Sequence, residues 1–151
     1  MPRRRRKKGG EDHAIGRSRG GLSTKINALV DEHGMPVRIA LTAGQSHDLN
    51  AAPGLLAGLS CRHVVCDRGY DSDAFLGLIR ASGAKAHIPS PRHRVVQRTV
   101  SRRIYRQRNQ VERFFCRLKH FRRVATRFDK LARNFLACVL LASTRIWLRT
   151  L

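Results

Sequence analysis

The sequence predicts an α/β domain with a mixed sheet flanked by helices. The first observation behind this is the alternation of short apolar, strand-like runs with stretches of helical periodicity. The second is a pair of strand-like runs separated only by Glu32-His33-Gly34, where glycine supplies turn geometry, so part of the sheet is antiparallel. The third is a C-terminal region that reads as two long helices able to cover a sheet. A length of 151 residues with 42% hydrophobic content fits one domain with a real core.

Each element has its own signal. Residues 1–21 hold a basic cluster, two Gly pairs and the block Gly16-Arg17-Ser18-Arg19-Gly20-Gly21. That composition resists regular structure, so a basic flexible arm is expected, with residues 22–151 forming the folded domain. Residues 24–31 and 36–42 are the arms of the hairpin. Residues 49–59 read as a short helix, capped by Asp48 or Asn50, with Pro53 in its first turn. Residues 63–66 are a short buried strand ending at Asp67. Asp71 or Ser72 then opens a helix that runs to about Ala81 and is closed by Gly83. A brief strand at residues 85–88 stops at Pro89, residues 89–97 are a basic loop, and helices follow at about 102–123 and 130–149.

Charge gives the first functional signal. Thirty-one Lys and Arg stand against ten Asp and Glu, a formal net charge of +21. Such a surface seeks polyanions, above all nucleic acid, because each neutralised phosphate releases condensed counterions. An anionic membrane is the competing partner, but no lone basic amphipathic helix of the interfacial kind is present. The apolar run at residues 135–148 is too short for a span and is interrupted by Arg145. No apolar stretch of secretory type follows the basic N-terminus, so a cytoplasmic, nucleoid-associated protein is expected. Cys61, Cys66, Cys116 and Cys138 show neither a Cys-x-x-Cys pair nor finger-like spacing, and read as reduced thiols without zinc.

Two carboxylates stand out. Asp67 falls at the C-terminal end of a strand, where α/β sheets place ligand sites; the bland alternative is that it caps the turn that follows. On the helix over 102–123, at about 100° per residue, Tyr105, Arg108, Glu112 and Lys119 fall within a stripe roughly 60° wide. Val111, Phe114, Phe115, Leu118 and Phe121 form an apolar stripe about 110° away, fit to pack on the sheet. Arg102, Arg106, Arg113, Arg117 and His120 form a third, solvated stripe. Arg108 and Glu112 are also spaced for a simple i,i+4 ion pair.

The spacing Tyr105-x2-Arg108-x3-Glu112-x6-Lys119 resembles the Tyr-Arg-Glu-Lys signature of insertion-sequence transposases of the Asp-Asp-Glu type. Gly16 to Gly21, Thr24-Lys25-Ile26, Gly44-Gln45-Ser46-His47-Asp48, Asp67-Arg68-Gly69-Tyr70-Asp71 and the block from Phe121 to Lys130 are similar to the "insertion sequence five" group. The resemblance implies a ribonuclease-H-like core, with Asp67 as the second and Glu112 as the third catalytic carboxylate. It implies two Mg²⁺ ions, with Mn²⁺ as a substitute, held roughly 3.5 to 4 Å apart by hard oxygen ligands from Asp67 and Glu112. It implies double-stranded DNA as partner, both transposon ends and target, bound by a homodimer in the synaptic complex. Arg108 and Lys119 would hold terminal phosphates and Tyr105 would contact the end nucleotides. Lys25, Arg17, Arg19, Arg122 and Arg123 would add backbone contacts.

The chain departs from that pattern in one respect. The first catalytic aspartate of the family precedes the Gly-rich block on a first strand, and Asp12, Asp31 and Asp48 do not stand in for it. The expectation is therefore a sheet lacking its first strand, in a chain fused by frameshifting to the product of an upstream reading frame, or else a decayed fragment. Two other functions compete: a catalytically incomplete DNA-binding repressor of transposition, and an RNA-binding protein, for which no aromatic-strand motif is seen.

Overall fold

The structure, a computed structural model, describes residues 13–150. The basic cluster at residues 3–8 and Asp12 lie outside the described residues. Strands β1 (Gly16–Ser18), β2 (Gly21–Val30) and β3 (Pro36–Ala43) form an antiparallel sheet in that order. The expected hairpin is its centre, paired from Thr24↔Ala43 to Val30↔Pro36. Its turn is organised by Asp31, whose Oδ1 accepts from the backbone N–H groups of His33 and Met35, each at 2.9 Å. Gly34 takes φ 75°, a conformation that resists a side chain. Asp31 is thus spent on the turn.

Residues 16–18 depart from the flexible arm expected of them, because their backbone completes the sheet as β1. Gly16 serves close approach, whereas Gly21, at φ 102° with open space around it, serves the turn into β2. A Cβ on Gly44 would collide with Ser23, and one on Gly16 with the Gln45 side chain. Arg127 fastens the segment from the far end of the chain. Its Nη2 donates to the His13 carbonyl at 2.7 Å, its Nη1 to Thr24 Oγ1, and its guanidinium lies 5.0 Å from the Phe135 ring centroid.

The second sheet is small. Strands β4 (His63–Val65) and β5 (Lys85–His87) pair in parallel through Val64↔Ala86, and no described strand joins them to the antiparallel sheet. The mixed sheet expected from the sequence therefore stands as two pieces. A 3-10 turn (Asp48–Asn50) and helix α1 (Ala52–Leu56) occupy the region expected as one helix. The cap is neither Asp48 nor Asn50 but the His47 imidazole, which accepts from Leu49 N at 3.3 Å; Pro53 is in the first turn as expected. Helix α2 (Asp73–Ala81) ends before Gly83, whose φ is 80°.

The helix expected over 102–123 is broken. It runs as α3 (Arg102–Tyr105), a 3-10 turn (Arg106–Arg108) and α4 (Asn109–Lys119), and a separate α5 (Arg122–Ala125) follows an extended Phe121. Helix α6 (Ala132–Leu148) closes the chain, with Trp147 Nε1 donating to the Pro36 carbonyl at 3.0 Å. One core joins the hairpin to α4, α5 and α6 through Met35, Phe114, Leu118, Phe135 and Val139. A second joins α1 and α2 to β4 and β5 through Val64, Phe75, Leu76, Ile79 and Ile88. Burial of these side chains is the main stabilising term, about 1.5–3 kcal/mol for each large one.

His87, buried on β5, has Nε2 3.1 Å from Nδ1 of the exposed His63 on β4. Burial, then His63, then Lys85 lower its pKa from 6.5. The unfolded chain therefore binds the proton more readily than the folded one. His87 thus favours folding above about pH 6.5, and that contribution is lost as pH falls through the unfolded value toward the lower folded one. Melting temperature is expected to drop between pH 7.5 and 5.5, and His87→Gln should flatten part of that drop in thermal melts. An unchanged slope would refute the assignment.

Candidate functional site

The C-terminal end of β4 delivers Asp67 to the surface. Its carboxylate does what the bland alternative held: Oδ1 accepts from Gly69 N at 2.8 Å and caps the 3-10 turn Arg68–Tyr70. Asp67 as a residue is exposed. The turn faces a depression of about 580 Å³ lined by Lys25, His47, Asp48, Asp67, Arg68, Gly69, Tyr105 and Arg108. Strand β2, the turn after β3, the end of β4 and the start of the long helical rod thus converge on one place. That convergence follows from chain direction, since β3 and β4 both end on this side.

The electrostatics are mixed. Lys25 Nζ donates to Asp48 Oδ1 at 2.9 Å and to the Ser46 carbonyl at 2.8 Å. The Tyr70 hydroxyl is pushed up to about 12, first by burial, then by Asp48, Cys66 and Asp67. It stays a proton donor beside two carboxylates. Burial, then Asp67, lifts the Cys66 thiol to about 12, which favours its protonated form. The four cysteines are free.

The structure separates the members of the helical stripe. Tyr105 and Arg108 line the depression with Asp67, whereas Glu112 lines a neighbouring one of about 520 Å³ with His33, Asn109, Gln110, Arg113, Cys116 and Arg117. The cause is the 3-10 turn at residues 106–108. At about 120° per residue rather than 100°, three residues turn Tyr105 roughly 60° further around the rod than a uniform α-helix would. Glu112 still touches the first depression indirectly, because its Oε1 pairs with Arg108 Nη2 at 2.7 Å. The i,i+4 pair anticipated from spacing is therefore formed. Lys119 is exposed at the end of α4 and lines neither depression. Phe114 and Leu118 are buried as expected, but Arg117 leaves the solvated stripe and donates to the Gly34 carbonyl at 2.6 Å.

Of the basic candidates, Lys25 and Arg108 face the Asp67 depression, while Arg17, Arg19, Arg122 and Arg123 are exposed on β1, the β1–β2 turn and α5. The loop at 89–97 is less free than its composition suggests. Arg94 and Arg98 both pair with Asp71, whose side chain is 0% exposed, and both reach Asp73. Asp71 lies four residues beyond Asp67, so this network fixes the turn that presents Asp67. Sequence reasoning missed Asp48, His47 and Arg68 as lining residues. The only signal for them was their place in the blocks that end β3 and β4.

Carboxylate oxygens suit a hard divalent cation, and Asp67 and Asp48 bring such donors to one depression. No group of three or more metal-capable side chains forms among the described residues; Glu112 is paired with Arg108 and Asp48 with Lys25. No helix among them is long and apolar enough to cross a membrane.

Residues 2–147 match the family model described as a transposase DDE domain. A 39% identity over 130 residues, covering 85% of this chain and 100% of the relative, links it to a protein of Brucella ovis named for the transposase of insertion sequence element IS6501. No solved structure matches the chain. Family model and relative agree over nearly the whole length, and the chain belongs to the transposases with a DDE domain.

Proposed function

We propose that this chain cleaves DNA strands at the ends of an insertion sequence and joins the freed 3′-ends to target DNA. The observation that carries the reading is the depression in which the Asp67 carboxylate meets Lys25, Tyr105 and Arg108. A carboxylate beside fixed cations is what a phosphodiester needs, anions to hold a metal and cations to hold the phosphate.

In this reading Asp67 and Glu112 hold Mg²⁺, which Mn²⁺ can replace, and the metal supplies an activated water or 3′-hydroxyl and charge stabilisation at phosphorus. Glu112 would move from its pair with Arg108 toward Asp67. Arg108, once free, takes a phosphate oxygen through its guanidinium fork. Lys25 and Tyr105 hold the strand in the depression, and Arg17, Arg19, Lys119, Arg122 and Arg123 follow the backbone away from it. The two small sheets are parts of a ribonuclease-H-like sheet, completed by a strand that bears a further aspartate. The protein works as a homodimer on paired ends.

A second reading is favoured by the Arg108–Glu112 pair: a DNA-binding member of the family that occupies ends without cutting them. One assay separates the two. The purified chain is incubated with supercoiled DNA carrying the element's ends, with Mg²⁺ or with a chelator. Nicking that needs the metal supports cleavage. Retained binding without nicking, when the strand that bears the further aspartate is supplied by fusion or in trans, establishes the second reading instead.

A further inference from the structure

The Lys25–Asp48 pair is an odd investment for stability. Both side chains are substantially exposed, 40% and 48%, where an ion pair contributes little to folding. What the pair does achieve is direction. A lysine ammonium has three donors on a flexible stem. Here the Ser46 carbonyl takes one at 2.8 Å and Asp48 Oδ1 takes a second at 2.9 Å. Lys25 lies on β2, and both partners lie in the turn that follows β3, so the ammonium is tied from the neighbouring strand's end. One donor is left over, in a depression that also holds Asp67 and Arg108.

We propose that Asp48 is a positioning residue. It aims the Lys25 ammonium so that its remaining donor meets a phosphodiester oxygen on the side of the depression away from Arg108. The inference rests on the reading of this depression as a DNA-strand site, and it deepens that reading by assigning a phosphate subsite and the residue that orients it. The logic is preorganisation: a lysine already fixed by two bonds loses less freedom on meeting the anion than a free surface lysine does. Asp48 also lines the same depression as Asp67. Without the Lys25 ammonium, two carboxylates in that depression would face an anionic strand with one cation fewer.

This assignment predicts the opposite sign from charge counting. Asp48→Asn removes a negative charge from a DNA-binding surface, which by long-range attraction alone should tighten binding. If Asp48 positions Lys25, the same change should weaken it. The test measures binding of the full chain to a labelled nonspecific duplex as a function of salt, for wild type, Asp48→Asn, Asp48→Glu, Lys25→Ala and the double variant. Lys25→Ala should weaken binding by about threefold to tenfold and lower the magnitude of the log–log salt slope by about 0.9, one phosphate contact. Asp48→Asn should weaken binding in the same direction, Asp48→Glu should restore most of it, and the double variant should be no worse than Lys25→Ala. Glu32→Gln, an exposed acid on the hairpin turn, gives the charge-only control and should bind as tightly as wild type or tighter. Equal or tighter binding by Asp48→Asn, with wild type binding normally, overturns the inference and leaves the strand-site reading standing. Absence of salt-dependent binding by wild type overturns both.

Discussion

Asp67→Asn and Glu112→Gln are each expected to lower metal-dependent strand cleavage by about 10³-fold or more, the scale lost when one preorganised charge is removed from a reacting centre. Duplex binding should hold or improve in both. Each change removes a negative charge from a surface of formal charge +21, and Glu112→Gln also releases Arg108 from its 2.7 Å pair. The contrast between lost cutting and kept binding is what assigns a chemical role, because a folding defect would lower both. Asp67→Asn has a built-in control. An asparagine carbonyl can still accept from Gly69 N, as Asp67 Oδ1 does at 2.8 Å, so the turn should survive. Cleavage is read from nicked and joined products in the preparation that cuts with wild type. Undiminished cutting by Glu112→Gln would remove it from the mechanism and leave its pair with Arg108 as a structural contact.

The sequence showed the hairpin, the buried strand ending at Asp67, the helix closed by Gly83 and the apolar anchor of α4, because each is written in local periodicity or turn chemistry. Glu32-His33-Gly34 and the spacing of Phe114 and Leu118 need no tertiary information. Three features had no local trace. The 3-10 turn at residues 106–108 re-aims Tyr105 away from Glu112, and nothing in Arg106-Gln107-Arg108 distinguishes it from α-helix. The pairing of Asp71 with Arg94 and Arg98 spans more than twenty residues and turns a loop that reads as solvated into a fastened one. Asp48 was set aside as a substitute for a missing carboxylate, and its actual partner is Lys25 on another strand. In the last two cases the deciding contact is between segments, where composition and spacing are silent.

Phe114→Ala is expected to cost about 3–5 kcal/mol of folding stability, the usual range for emptying a buried aromatic site. Phe114 is 0% exposed, its ring centroid is 5.4 Å from that of Phe115, and its core partners come from the hairpin and α6. Those elements are held in place from several sides, so the cavity cannot collapse easily. Against a total of about 5–15 kcal/mol for a domain, a loss of that size lowers the melting temperature by about 10 °C or more. Phe128→Ala, at a side chain 73% exposed, should stay within about 0.5 kcal/mol. The consequence reaches the site, because Phe114 and Leu118 are the anchors that fix how α4 presents Glu112 and the arginines before it. At a temperature where the Phe114→Ala variant is still folded, salt-dependent DNA binding should weaken less than cleavage does, since exposed arginines tolerate a loosened helix and a shared cation does not. Equal melting temperatures for Phe114→Ala and wild type would show that α4 is not held by this core.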